Sequence, residues 1–412
     1  MTDCATPATS FALLCDVYEY LAENHADAPL DAEALAAGFA LGIGGYEETA
    51  EIERIESFQC AVPSPAFETS CELLSERLVG SGISLEGAVE AGVSSMIALS
   101  LDPFTYYIPP ELSGALTPDG VIAAVGLLVT IADPVGSVCT LVQDPCQVEV
   151  VTVIEDGPAH SAGLRVGDVI TAIDGETVAG ADLVEIAQRL DGNTGTSVTV
   201  DLRGPNDDAR TLSLERSQPI WPEFELEVPR TGVGYLRIPD FSMETPVVVH
   251  SALESLTASG VDDLVIDLRD NPGGFVDAVT LVASEFLSAG LVFRSLGPAG
   301  DLDYPVQPGG VATSGPDITV VVNGGSASAS EILAGVLQER GRARVVGTPT
   351  FGKDTVQIGF LLRNDGVLRV TVAHWVTPEG ESVAAGGVAP DAVVDIPVDA
   401  TPAEVVDLAF GS

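Results

Sequence analysis

The stretch DITVVVNGGSASASEILAGVLQERG, residues 317–341, decides the fold class of the second half of this chain. A continuous apolar run leads through a Gly-Gly-Ser turn into a segment with the apolar spacing of a helix. The same alternation begins near residue 230, with strand-like VGYLRI, DDLVIDL, RVVG and GVLRVTVAHWV and helix-like ETPVVVHSALESLTASG and GFVDAVTLVASEFL. Buried strands that alternate with helices predict an α/β layer architecture.

Two turns of this half lie where the carboxyl end of a buried strand enters a helix, the usual position of sites in such folds. One is in LVIDLRDNPGGFVDA (264–278) and the other in VVVNGGSASASEILAG (320–335). The second turn offers three candidate nucleophiles, Ser326, Ser328 and Ser330, at a helix start where N–H groups favour negative charge. The Pro-Gly-Gly turn adds further N–H groups, so both turns can supply the oxyanion donors of an acyl-transfer enzyme.

Ser328 also has a purely structural explanation. With Glu331 it satisfies the S-x-x-E pattern of a capping box, in which the serine only starts a helix. A nucleophilic serine needs a base, so the choice between the two readings depends on the residues that can serve as one.

Lys353, in VGTPTFGKDTVQIG (346–359), is the candidate base. It is the only lysine among 17 basic residues, and arginine cannot act as a base because it keeps its proton. Lysine can lose its proton when it is buried. One helix, one strand and one turn separate Lys353 from Ser328, which is enough to bring the two together, and Gln357 can orient either group. The alternative is a lysine-poor composition in which one lysine has no special meaning.

The four histidines are weaker candidates for the base. His25 lies in a helical repeat, His160 in a small β segment, and His250 within an amphipathic helix. Only His374, on the strand-like VTVAHWV, lies in a segment that could come near Ser328. The G-x-S-x-G elbow of many Ser-His-Asp enzymes does not occur in the sequence.

The composition excludes several classes of function. A formal net charge of −44 argues against nucleic acids and anionic membrane surfaces as partners, since both need clustered Lys and Arg. No uninterrupted apolar run approaches the roughly 18 residues of a membrane span. The length of 412 residues predicts roughly three domains, each with its own core.

Residues 1–103 are predicted to form a helical domain with an internal duplication. CATPATSFALLC (4–15) aligns without gaps with CAVPSPAFETSC (60–71), and LDAEALAAGF (30–39) resembles LEGAVEAGV (85–93). Each copy has the pattern of a proline-started helix, a break, and a second helix whose small residues allow close packing.

The cysteines indicate disulfides. Six cysteines allow 15 pairings, and none lies in a C-x-x-C motif: Cys4, Cys15, Cys60, Cys71, Cys139 and Cys146. Bonds within each repeat copy or between the copies fit the matched positions, and the last two cysteines can close a small loop. Disulfides predict an extracytoplasmic protein, although no signal-peptide pattern is visible; free buried thiols in a cytoplasmic protein are the alternative.

Residues 104–217 are predicted to be a linker followed by a small β domain. SLDPFTYYIPPEL (100–112) is rich in proline and aromatic residues and is typical of a linker. Short β runs follow in GVIAAVGLLVTI, VEVVTVI, DVITAI and SVTVDL, with a helical segment in ADLVEIAQRL (181–190).

These segments together resemble the C-terminal processing peptidases, also called tail-specific proteases. GSASASEILAGVLQERGRARVVGTPTFGKDTVQ resembles their Ser–Lys signature, and VGYLRIPDF, LVIDLRDNPGG and AHWVTPEGESVAAGGVAPDAVV resemble their other core segments, in order. AVGLLV with GPAHSAGLRVGDVITAIDG looks like their PDZ domain. The resemblance covers residues 95–396 and implies a multidomain α/β protein. Its parts are a helical N-terminal domain, a PDZ-like β domain and, over residues 218–412, an α/β protease core of the crotonase-like ββα type.

Site residues follow from the same resemblance. It implies Ser328 as nucleophile, Lys353 as general base and Gln357 as its orienter. The oxyanion donors are implied to be the N–H groups of Ala329 and of Gly273 or Gly274. Glu331 and Thr350 fall on family positions that flank the site. No metal or organic cofactor is implied.

Asp354 is a departure from the family, which usually has glycine after the lysine. An anion beside Lys353 would favour the charged amine and oppose its work as a base, unless the carboxylate turns outward.

The PDZ-like segment is expected to bind the C-terminal carboxylate of a protein or peptide substrate on amides around Val125, Gly126 and Leu127. Apolar neighbours in LLV suggest apolar terminal residues, and the oligomeric state stays open, a homo-oligomer included. The main alternative is an inactive protease-like PDZ scaffold, with Asp354 as the cause of the lost activity. A crotonase-like enzyme acting on acyl thioesters is a second alternative, which gives no reason for the Ser–Lys pair.

Overall fold

The protein is described from a computed structural model. It describes residues 2–4, 11–46, 61–81, 84–110, 116–117, 120–121, 125–133, 139, 141–153, 157–165, 167–204, 208–217 and 224–411. Within these ranges, no helix has both the length and the apolarity that crossing a bilayer requires.

Four helices form the amino-terminal part, where the duplicated pattern predicts two helical hairpins: α1 (Ala12–Asn24), α2 (Ala32–Gly45), α3 (Glu68–Ser81) and α4 (Leu85–Ser100). Asp31 caps α2 by accepting from the Glu33 N–H, and Ser84 caps α4 by accepting from the Gly87 N–H, each at 3.0 Å.

The small residues in the repeat allow α2 and α4 to approach closely. A Cβ atom on Gly42 would lie 2.3 Å from the Ala91 carbonyl oxygen, and one on Gly38 would lie 2.9 Å from the Met96 Cα. Side chains at these positions would therefore separate the two helices. Three short strands accompany the helices: β1 (Thr2–Asp3), β2 (Ala61–Val62) and β3 (Tyr106–Ile108).

Disulfides connect Cys4 to Cys15 and Cys139 to Cys146. The first lies within one repeat copy and the second closes the small loop, both among the pairings that the sequence allows. Cys71 is also disulfide-bonded, and Cys60 lies outside the described residues.

The small β segment contains β4 (Leu116–Thr117), β5 (Gly120–Val121), β6 (Leu127–Ala132), β7 (Gln147–Val153), β8 (Val169–Ile173), β9 (Glu176–Thr177), β10 (Ser197–Arg203) and β11 (Ala209–Glu215). Its sheet has the order β11-β10-β8-β7-β6, with β9 on β8. Helices α5 (Pro158–Ala162) and α6 (Leu183–Leu190) accompany it. Among the described strands, β6 therefore lies at the edge of this sheet, and it begins at Leu127, the last residue of the segment predicted to bind a carboxylate.

The second half alternates strands and helices, as the sequence predicts. Its strands are β12 (Glu225–Arg230), β13 (Val233–Arg237), β14 (Asp263–Asp267), β15 (Leu291–Leu296), β16 (Leu302–Pro305), β17 (Asp317–Val322), β18 (Ala343–Gly347), β19 (Thr355–Leu361), β20 (Val367–Val376) and β21 (Ala392–Val393). Its helices are α7 (Thr245–Ala258), α8 (Val276–Phe286), α9 (Ala329–Glu339) and α10 (Pro402–Phe410). One sheet has the order β12-β13-β14-β17-β18-β21, and all its pairs are parallel except β12 with β13.

A second sheet, in the order β16-β15-β20-β19, changes the picture of the predicted linker. β3 lies within SLDPFTYYIPPEL and pairs antiparallel with the start of β20, from Ile108 opposite Val367 to Tyr106 opposite Arg369. Leu362, Leu368 and Val370 are buried in the same apolar cluster as the helices of the amino-terminal part. The segment predicted to be a plain linker is therefore a structural connection to the second half.

Candidate active site

The two predicted turns meet because β14 and β17 are parallel neighbours, so their carboxyl ends lie side by side. The turn after β14 accepts two hydrogen bonds at the Asn271 carbonyl oxygen. One comes from the Ala327 N–H at 3.0 Å and one from the Ser330 hydroxyl at 2.9 Å. This contact brings the Pro-Gly-Gly turn alongside the serine-bearing turn.

The three candidate serines differ in their surroundings. The Ser326 hydroxyl donates to the Leu268 carbonyl oxygen at 2.7 Å and, like Ser330, is completely buried. Ser326 and Ser330 therefore hold the two turns together. Ser328 precedes α9 with φ of 53° and ψ of −112°, in the positive-φ region that is rare for residues other than glycine. Such strain is often found at functional sites, where surrounding contacts must maintain it.

Glu331 is the residue that connects the serine turn to the lysine loop. Its Oε2 accepts from the N–H groups of Ser328 and Lys353, both at 2.8 Å. Its Oε1 accepts from the Thr350 hydroxyl at 2.5 Å and from the Gly352 N–H at 2.7 Å. Burial raises the pKa of Glu331, whereas these four hydrogen bonds oppose that rise. The half of the capping box that Glu331 provides is present, but the same carboxylate also fixes the lysine loop.

Lys353 is 6% exposed, and contacts of both its main chain and its side chain position it. Its N–H donates to Glu331, its carbonyl oxygen accepts from Trp375 Nε1 at 3.0 Å, and its Nζ lies 5.3 Å from the centre of the Phe104 ring. Trp375 and Phe104 have no spacing relation to Lys353 that would mark them in the sequence. The burial that a lysine base requires is present.

The glycine turn lies against the start of α9. Gly273 and Gly274 have φ of 112° and 149°, and a Cβ atom on Gly273 would lie 3.0 Å from the Ala329 nitrogen. The Gly273 N–H donates to Asn271 Oδ1 at 2.8 Å. Among the hydrogen bonds of the described residues, none uses the N–H of Gly274 or of Ala329. Of the two glycines, Gly274 is thus the better placed to donate to a ligand.

Gln357 belongs to a partly buried hydrogen-bond network. Its Nε2 donates to the Thr371 hydroxyl at 3.3 Å, and that hydroxyl donates to Asp102 Oδ1 at 2.8 Å. Orientation of Ser328 or Lys353 by Gln357 stays a prediction.

The Asp354 carboxylate is in contact with His374 and Ser382. Its Oδ1 lies 3.3 Å from His374 Nδ1, and its Oδ2 accepts from the Ser382 hydroxyl at 2.8 Å. Burial alone would raise the pKa of Asp354, but the hydrogen bonds from His374 and Ser382 lower it below its ordinary value. The same hydrogen bond raises the pKa of His374 despite its partial burial. His374, the histidine considered as a base, is thus paired with Asp354.

We expect Asp354→Asn to destabilise the protein most between about pH 4 and about pH 6.5, the ordinary pKa values of the two groups. The Asp354 contribution is present above its ordinary pKa and is lost as pH falls through the lowered pKa of the folded state. The His374 contribution is present below its ordinary pKa and is lost as pH rises through its raised folded pKa. Free energies of unfolding by denaturant, measured across this pH range for wild type and variant, check the prediction. The exposed Asp303, changed to Asn, is the control, and a difference independent of pH would contradict the assignment.

The other histidines lie elsewhere in the molecule. His25 Nε2 is 2.9 Å from Asp102 Oδ2, and His250 Nδ1 is 2.8 Å from Glu285 Oε1. His160 lies in α5 of the small β segment. Among the described residues, no cluster of His, Cys, Asp and Glu has a metal-binding arrangement.

Known proteins resemble this chain in sequence and in fold. The sequence matches peptidase family S41 over residues 232–394 and a PDZ domain over residues 149–204. It is 33% identical to a carboxyl-terminal-processing protease of Synechocystis sp., over 79% of this chain and 75% of that protein. It is 32% identical to a carboxy-terminal-processing protease of Bartonella bacilliformis, over 75% and 70%.

A solved structure gives the same result for the fold. The photosystem II D1 C-terminal processing protease superposes with a TM-score of 0.73 and 25% sequence identity, covering 98% of both chains. With its S41 core and PDZ domain, the chain belongs to the carboxyl-terminal-processing proteases of peptidase family S41.

Proposed function

We propose that this protein is a serine endopeptidase in which Ser328 is the nucleophile and Lys353 the general base. One observation carries the proposal: a single carboxylate oxygen of Glu331 binds the N–H groups of both residues, which holds their main chains side by side. The burial of Lys353 favours the neutral amine that a base needs.

Cleavage then proceeds through an acyl-enzyme. Neutral Lys353 takes the proton of the Ser328 hydroxyl as its oxygen attacks the carbonyl carbon of the scissile peptide bond. The resulting ammonium returns this proton to the leaving amine, and the C–N bond breaks. Lys353 next takes a proton from a water molecule as the water oxygen attacks the ester carbon. The bond from this carbon to the Ser328 oxygen then breaks, and the ammonium returns the proton to that oxygen, which releases the free acid and restores Ser328 and neutral Lys353.

Two N–H groups are the oxyanion donors in this proposal. Ala329 supplies the first, at the start of α9, and Gly274 supplies the second, because the Gly273 N–H is bonded to Asn271. Each such donor typically contributes about 10²–10³-fold to kcat in enzymes of this type. Gln357 is proposed to orient the lysine from the Thr371 side.

Substrate recognition is proposed to involve the PDZ domain, which we assign with its preceding segment to residues 104–217, catalysis being assigned to 218–412. Gly126 has φ of 72°, and the turn of Val125, Gly126 and Leu127 opens into the edge strand β6. A substrate tail can add there as a further strand, with its carboxylate on the turn amides. Val125 and Leu127 are buried in the apolar core of this domain, so the turn is proposed to offer its amides rather than these side chains. Apolar terminal residues of the substrate are part of the proposal.

The location is proposed to be extracytoplasmic. The disulfides of Cys4 with Cys15 and of Cys139 with Cys146 support this assignment, because such bonds persist in oxidising compartments. Protein substrates with exposed C-terminal tails are the proposed partners.

A matched set of substrates tests the function. Wild type is expected to cleave an unfolded protein that ends in an apolar tail, and to cleave it more slowly when the terminal carboxylate is amidated. Ser328→Ala is expected to bind the tailed protein with unchanged affinity and to cleave neither form. Equal inertness of wild type and Ser328→Ala, with tail binding intact, would favour the scaffold alternative. The contacts of the Asp354 carboxylate with His374 and Ser382 argue against that alternative.

A further inference from the structure

Phe104 lies outside the S41 match, yet its ring reaches the candidate base. The ring centre is 5.3 Å from Lys353 Nζ. Phe104 also lines a cavity together with Ile131 and Leu183 of the PDZ domain, and Lys353 is not among the residues that line it. The same ring thus borders this cavity and lies near the amine.

A partly buried carboxylate, that of Asp102, holds the main chain of Phe104 in place. Asp102 Oδ1 accepts from the Phe104 N–H at 2.9 Å, and Oδ2 accepts from the Thr105 hydroxyl at 2.7 Å. His25 Nδ1 accepts from the Asp27 N–H at 3.1 Å, so its Nε2 carries the proton that is donated to Asp102. Although burial alone would raise it, the pKa of Asp102 is lowered by these hydrogen bonds.

The same carboxylate is attached to the sheet that carries Gln357. The Thr371 hydroxyl on β20 donates to Asp102 Oδ1 at 2.8 Å, and the Thr371 N–H donates to the Thr105 hydroxyl at 3.0 Å. Asp102 thus fixes Phe104 relative to β20, the strand whose Trp375 binds the Lys353 carbonyl oxygen.

We propose that Phe104 is a positioning residue for Lys353: its ring, fixed by Asp102, covers the amine and keeps water of the neighbouring cavity away from it. The proposal rests on the function proposed for Lys353 and adds a residue from outside the protease core to the machinery. It also assigns the segment between the helices and the PDZ domain a role in the chemistry.

Two effects of an aromatic ring on an amine have opposite signs. A ring face attracts an ammonium, typically by about 0.5–2 kcal/mol, which favours the charged form. Exclusion of water disfavours the charged form, by up to about 3–5 pH units for a fully buried group. Because Lys353 is almost completely buried, the second effect is expected to dominate.

Other charged groups near Lys353 must stay unchanged for this comparison. They include Glu331 on α9, Asp354 with His374, and Asp102 with His25. Variants at Phe104 leave all of them in place.

The single lysine makes a direct measurement possible. In a Ser328→Ala background, lysine labelled with ¹³C at Cε gives one resonance, whose shift against pH reports the protonation of Lys353. Phe104→Leu keeps an apolar cover and is expected to titrate as the background protein does. Phe104→Ala opens the cover, and its midpoint is expected to move to higher pH by about one unit.

Kinetics in the Ser328 enzyme supply the second readout. In Phe104→Ala, the acidic limb of the plot of kcat/KM against pH is expected to move to higher pH, as the resonance does. At a given pH on that limb, kcat/KM then falls roughly tenfold. Phe104→Leu is expected to keep the limb of wild type. If Phe104→Ala lowers thermal stability but shifts neither the titration midpoint of the Lys353 resonance nor the acidic limb, the ring has only a structural role and the proposal is overturned. A shift to lower pH in both variants would also overturn it, since ring attraction would then dominate.

The outcome can be separated from failure of the proposed function. If Lys353→Arg cleaves like wild type, the base assignment is wrong whatever Phe104 does. If Lys353 is essential but its resonance titrates identically in all three proteins, only the role of Phe104 is wrong.

Discussion

Lys353→Arg is expected to lower kcat/KM on a tailed protein substrate by about 10²–10⁴-fold, the usual contribution of a general base. A guanidinium keeps its proton at any working pH, so it cannot accept the proton of Ser328. The substitution preserves the charge that a purely structural cation would need. Cleavage rates under single-turnover conditions measure the loss, and binding of a tail peptide shows that the PDZ domain is intact.

The control for this exchange lies on the surface. The Arg230 side chain is 46% exposed, and its guanidinium lies 3.3 Å from the Asp407 carboxylate. We expect Arg230→Lys, the reverse exchange, to cleave as wild type does. A Lys353→Arg enzyme as fast as wild type would remove the basis of the mechanism. It would also favour the alternative that the sequence is simply poor in lysine and that its one lysine has no special function.

Glu331→Gln is expected to lower kcat by about 10²-fold and to reduce the free energy of unfolding by about 2–4 kcal/mol. The carboxylate accepts four hydrogen bonds, two at each oxygen. The amide nitrogen of glutamine faces two of those donors with hydrogens of its own, so two buried groups lose their acceptor. The serine turn and the lysine loop then separate. Rates and denaturant unfolding, measured on the same preparation, check both effects.

Glu339 provides the matched control on the same helix. It lies at the far end of α9, and the one hydrogen bond that its side chain makes among the described residues is from the Glu379 N–H at 3.2 Å. Glu339→Gln is therefore expected to behave as wild type. Full activity in Glu331→Gln would mean that Ser328 and Lys353 are held together by other contacts.

Strand and helix alternation made the fold of the second half predictable. The unit around residues 317–341 and its neighbours fix a parallel sheet, and parallel neighbours place the two site turns at one edge. The second sheet was less predictable. Its strands β15, β16 and β19 were not identified from the sequence, nor were β12, β21 and α10. β16 is only four residues long and β12 is mostly exposed, so neither carries a clear apolar pattern.

The candidate site also contains residues that the sequence indicates and residues that only the structure reveals. Ser328 and Lys353 could be found because the chemistry restricts the residue types, and their signature is continuous in the chain. Asp102 and Phe104 could not be found, since their contacts join positions about 250 residues apart without a periodic signal. Asp354 is a third case. The sequence shows a carboxylate next to Lys353, but only the structure shows that this carboxylate contacts His374 and Ser382.

The apolar cluster shared by the amino-terminal helices and β20 has a consequence for dissecting this protein. Tyr20 stacks on Phe360 with ring centres 4.7 Å apart, and the Asp16 carboxylate lies 2.7 Å from the Arg363 guanidinium. An excised S41 region would present Leu362, Leu368 and Val370 to solvent, together with the strand edge that β3 occupies. Such a fragment would aggregate before its chemistry could be assayed, so the boundaries of a sequence match are a poor guide for truncation here.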